Sequence, residues 1–76
     1  MGSRGMYVAA FMELVDEIIE ENRDNPQRAR ELIINEVLRE AKKAFRSEDY
    51  QEIKMFAFRK LMELGFSAKE LEEFLE

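Results

Sequence analysis

The side chains that most often carry chemistry are scarce in this chain. Histidine and cysteine are absent, which removes the imidazole that titrates near neutrality and the thiolate nucleophile. Threonine and tryptophan are also missing, and the serines are Ser3, Ser47 and Ser67. A serine nucleophile needs a base beside it, and here only a desolvated lysine is left for that role. The sequence therefore points away from catalysis, and no catalytic residue is expected. Glu13, Glu17, Glu20 and Glu21 form a dense carboxylate group. Di-metal carboxylate bundles combine inward-facing Glu with Glu-x-x-His pairs, which this chain cannot supply, and it has no Asp-rich calcium loop with a central Gly. These glutamates read as a solvated acidic face, with no metal and no cofactor.

Two other constellations bear on binding. Met55, Phe58 and Met62 form a stripe on the third predicted helix, about 120° from the stripe of Tyr50, Ile53, Phe56, Ala57, Leu61 and Leu64. Either this helix is central and packs on two sides, or the methionine stripe is an adaptable docking face. Methionine is flexible and polarizable and recurs at helix-binding surfaces. In the second case Met55, Phe58 and Met62, with Phe66, contact a partner protein, a helical peptide or a second copy of the chain in a homodimer.

The second constellation is basic. Arg28, Arg39, Lys42, Lys43 and Arg46 fall within about 100° of arc on the second predicted helix, and such a stripe can meet phosphates. No aromatic residue interleaves it. Residues 24–46 carry +2, against −4 for residues 6–23 and −3 for residues 65–76. The stripe reads as a solvated face complementing the acidic first helix, and nucleic acid is not the expected partner. The segment 61–74 has helix-turn-helix spacing, yet its would-be recognition helix bears Glu70, Glu72 and Glu73, followed by Glu76, all repelled by a phosphate groove.

The elements that position these residues are all helical: about 6–23, 26–46, 48–64 and 68–75. In the first, Tyr7, Val8, Phe11, Met12, Leu14, Val15, Ile18 and Ile19 share one broad side at helical spacing. Asn25-Pro26 supplies an N-cap and a proline at the first helical position of the second. Its inner face is Ile33, Ile34, Val37, Leu38, Ala41, Ala44 and Phe45. Ser47 reads as the third N-cap, with Glu48 and Asp49 at the positive end of the dipole; a bend in one long helix is the other possibility there. Gly65 is a C′ glycine, and Ser67 with Glu70 is a capping box flanked by the Phe66–Leu71 hydrophobic staple. The fold expected is all-α: three antiparallel helices and a short C-terminal helix closing one end.

At 76 residues the chain is a single domain near the lower limit for a self-supporting core. Without Cys or His, helix packing or self-association must supply the stability that disulfides or zinc give other small domains. Residues 1–5 (MGSRG) read as a flexible, tag-like start, leaving 6–76 as the helical domain. A net charge of −5 favours solubility, and no apolar run is long enough to span a membrane. The lack of Cys fits a reducing, cytoplasmic compartment.

Two likenesses follow. From about Leu38 to Leu75, the order of Lys42-Lys43, Arg59, Leu61, Gly65-Phe66 and Leu71 resembles the terminal three-helix repeat of the RecX recombination-regulator family, although the tail here is acidic where those repeats are basic. That resemblance implies a small regulator that acts by docking. The agreement of caps, punctuation and charge placement is similar to that of de novo designed helical bundles, from which the Met/Phe-rich third helix and mid-helix Asn35 depart.

Overall fold

A computed structural model of the chain describes residues 3–75. Every regular element among them is helical: α1 (Ser3–Glu21), α2 (residues 26–44), α3 (Ser47–Glu63) and α4 (Ala68–Leu75). Residues 3–5 are part of α1. Gly5 costs a helix only about 1 kcal/mol and leaves its hydrogen bonds intact. Met1 and Gly2 lie outside the described residues. α1 closes before Arg23 because Asn22 turns back on it: the Asn22 amide side chain donates to the Ile18 carbonyl at 2.9 Å.

The punctuation then acts largely as its residue types dictate. The Asn25 side chain accepts from the Arg28 N–H at 3.3 Å, with Pro26 at the first helical position. Gly65 takes φ +113°, its N–H donating to Met62 O at 3.0 Å and the Phe66 N–H to Leu61 O at 3.4 Å; these two bonds define a Schellman stop. Ser67 and Glu70 cap each other, with the Glu70 N–H donating to Ser67 Oγ at 3.1 Å and the Ser67 N–H to Glu70 Oε1 at 2.9 Å. One cap differs. Ser47 is the first residue of α3, and the cap position falls to Arg46 without a side-chain hydrogen bond. Phe45 and Arg46 are both extended, at ψ 157° and 164°, so α2 and α3 are separate helices and not one bent rod.

The largest fully buried side chains come from all four helices: Val15, Ile33, Leu38, Ile53, Leu61 and Leu71. Each contributes about 1.5–3 kcal/mol by leaving water. Cross-helix contacts fix the directions. Phe11 meets Phe45 edge-to-face at 5.1 Å, joining the start of α1 to the end of α2, so these two run antiparallel. Val8 and Met12 lie beside Asp49, while Asp16 pairs with Lys60 at 3.2 Å, so α1 and α3 run the same way. α4 lies in the seam between α2 and α3, with Arg30 stacked 3.8 Å from the Phe74 ring centre and Lys54 bridging Glu72 at 3.2 Å. The short helix therefore runs along a seam instead of capping the end of the bundle.

α2 contains a feature that the periodicity alone does not announce. Residues Ile33–Val37 form a π-helical turn, in which the Leu38 N–H donates to Ile33 O. The cause is the spacing of its apolar residues. Ala29, Ile33, Val37, Ala41 and Phe45 recur every fourth residue, and in an uninterrupted α-helix each such step drifts about 40°. With Leu38 they would spread over about 180°, too wide for one core. A π turn absorbs one residue from the count and gathers all six into about 100°. The same rotation carries Ala44 out to solvent, although the sequence places it on the inner face. On α1 the buried face is likewise narrower than the apolar pattern: Val8, Val15 and Ile19 are buried, whereas Tyr7 and Leu14 are exposed.

Candidate docking surfaces on the third helix

The methionine stripe of α3 is divided by the fold. Phe58 is 8% exposed and belongs to the core, while Met55 and Met62 are 66% and 48% exposed. They sit seven residues apart on the outward side of α3, and the edge of Phe58 lies between them at the floor of a shallow groove of about 520 Å³. Lys54 and Arg59 rim this groove, with Glu72 of α4 across from them. Phe66 is not part of it. It packs half-buried against the core, beside Pro26 and Leu64 at the α1–α2 connection. The structure thus brings Met55, Phe58 and Met62 together and places Phe66 elsewhere, before α4.

The basic stripe of α2 is divided as well. Arg28 lies 4.0 Å from Glu31, Lys43 3.9 Å from Glu40 and Arg46 3.8 Å from Glu48. All three are exposed local pairs, worth little in high dielectric, and none reaches α1. From α3, Lys60 meets α1 through Asp16 at 3.2 Å. Arg39 and Lys42 behave differently, having no carboxylate partner within 4.0 Å among the described residues. The π turn swings both towards the α2–α3 seam, where they line a groove of about 430 Å³ with Ile34, Leu38, Tyr50 and Lys54. The Lys42 ammonium lies 5.9 Å from the Tyr50 ring centre.

This seam groove is the surface that the periodicity does not reveal. It lies beside α4, whose Glu72, Phe74 and Leu75 form one of its sides. Its walls come from three helices, and a four-residue apolar spacing was the sole sequence signal for the turn that aims Arg39 and Lys42 into it. Gln51, Lys54 and Glu72 border both grooves, so the two surfaces adjoin across the Lys54–Glu72 bridge.

The charge perturbations at the end of α1 belong to neither groove. Arg23 donates to Glu20 at 2.7 Å and holds its carboxyl below the ordinary range, and Glu20 in turn raises the guanidinium. Among the described residues no group of His, Cys, Asp or Glu is arranged to hold a metal ion, and no helix is long and apolar enough to cross a membrane. Compared with protein-family models, curated proteins and solved structures, the chain matches none.

Proposed function

We propose that this chain is a non-catalytic helical scaffold that docks an apolar helix, from a partner protein or a second copy, against the Met55–Phe58–Met62 face of α3. One observation carries the reading: two large, adaptable apolar side chains stand in solvent on either side of a core phenylalanine, on a helix whose opposite face already fills the core. The fold gains nothing from that exposure, whereas a partner helix gains a Met-rich groove. The caps at Asn25, Gly65 and Ser67 support a designed origin for such a scaffold. The π turn, which an idealised backbone omits, supports an evolved one. The docking face is common to both.

The test is a selection from a displayed library of amphipathic helices, followed by sedimentation of the protein alone across concentration. Either selected helices or a second copy should bind the wild type and lose that binding in the Met55→Glu/Met62→Glu double variant, whose fold is retained. Binders indifferent to both substitutions, in a protein that stays monomeric, would contradict the proposal.

A further inference from the structure

The groove between α2, α3 and the end of α4 has a chemistry of its own. Ile34, Leu38 and Tyr50 give it apolar surface, Arg39 and Lys42 stand on its α2 side, and Glu72, already paired with Lys54, lies with Phe74 and Leu75 on its α4 side. A cleft of about 430 Å³ is large enough to receive the anchoring side chains of a peptide. α4 shows what the same seam accepts. It is amphipathic and acidic, with Leu71 buried between α2 and α3. Its carboxylate Glu72 is held by Lys54, and its aromatic Phe74 lies under Arg30. Seam cations from α2 and α3 thus already recognise a carboxylate and an aromatic ring on a short helix.

Arg39 and Lys42 stand in the same groove beside the last residues of α4, Phe74 and Leu75, with no carboxylate partner among the described residues. We infer that this groove binds an acidic amphipathic helix of a partner protein, its apolar residues on Ile34, Leu38 and Tyr50 and its carboxylates on Arg39 and Lys42. The occupant follows from charge complementarity and from the way α4 packs beside the groove. The π turn is what makes the site. As a plain α-helix, α2 would point Arg39 and Lys42 away from the seam, with the other basic residues of its outer face. This inference stands independently of the methionine face, because its anchors Ile34, Leu38 and Tyr50 and its cations Arg39 and Lys42 lie outside the methionine groove.

The probe is a synthetic peptide carrying the sequence of residues 68–75 twice in tandem, titrated into isotope-labelled full-length protein and followed by NMR and by anisotropy of a fluorescent label. Saturable binding is expected, with shifts centred on Ile34, Leu38 and Tyr50 and with affinity falling as salt is raised. Arg39→Glu/Lys42→Glu should weaken it about tenfold or more, and Arg39→Gln/Lys42→Gln by a smaller factor. Both residues are exposed, so both variants keep the helical circular dichroism of the wild type. Three results would each overturn the inference: no saturable binding, equal binding of a peptide whose glutamates are replaced by Gln, or shifts confined to Met55 and Met62. A concentration-dependent molar mass without peptide, abolished by Arg39→Glu/Lys42→Glu, would assign the seam to a second copy and overturn the separate partner.

Discussion

Three neighbouring side chains on α3 look alike in the sequence and do different work. Phe58 is buried and Met55 and Met62 are not, yet all three share one stripe at helical spacing. Spacing locates a residue on a helix face, but it cannot say which neighbour covers that face. Here the core takes in Phe58 and stops short of the methionines. Phe58→Ala should therefore cost about 3 kcal/mol in urea unfolding, as expected for emptying a buried aromatic site. Met62→Ala should stay within about 0.5 kcal/mol; equal losses would show that the stripe is uniformly buried. A second prediction concerns charge. Arg23 lowers the Glu20 carboxyl, so the pair's contribution to stability is present above the unfolded-state value and is lost as pH falls through the lowered folded value. Both groups are exposed, so the effect is read from the Glu20 side-chain titration by NMR. Arg23→Gln should return that titration upward towards the ordinary carboxylate range, and an unchanged titration would remove Arg23 as the cause.

At the scale of elements, the helices were legible wherever a residue type has a single structural use. Asn25-Pro26, Gly65 and the Ser67/Glu70 box each satisfy backbone groups that no other residues nearby can serve. Ser47 was ambiguous because Arg46 can enter the helix extended, with the acids Glu48 and Asp49 already at the dipole. Gly65→Ala should cost about 1–2 kcal/mol, all of it backbone strain at φ +113°, since nothing lies within 4 Å of an added Cβ. Ser67→Ala should cost about 1 kcal/mol through the lost cap; both are checked by urea midpoints. The π turn was not legible as a turn, although its cause was, in the fourfold recurrence from Ala29 to Phe45. Deleting Asn35 leaves those apolar residues on one face of a regular α-helix. The deletion variant should fold with its circular dichroism intact and with slower amide exchange across the former turn. Its unfolding would show that the extra residue is needed for more than register.

For the whole molecule, the four helices form one core with a Cα radius of gyration of 11.8 Å, close to the roughly 11 Å expected of a folded chain this long. The core needs nothing from the outer face of α3, which is why that face is assigned to docking. Its residues were visible in the sequence, but the seam groove was not, because it arises from the phase of α2 and the packing of α4 against α2 and α3 together. The most direct test of the central claim is to record the methionine methyl signals of the protein with a soluble paramagnetic probe, first dilute and then bound to a selected helix or at the concentration where copies associate. Met55 and Met62 should be strongly bleached in the dilute protein, with Met12 protected, and both should become shielded on association. Methyls of Met55 and Met62 that are already shielded in the dilute monomer, or that stay bleached when the partner is bound, would contradict it.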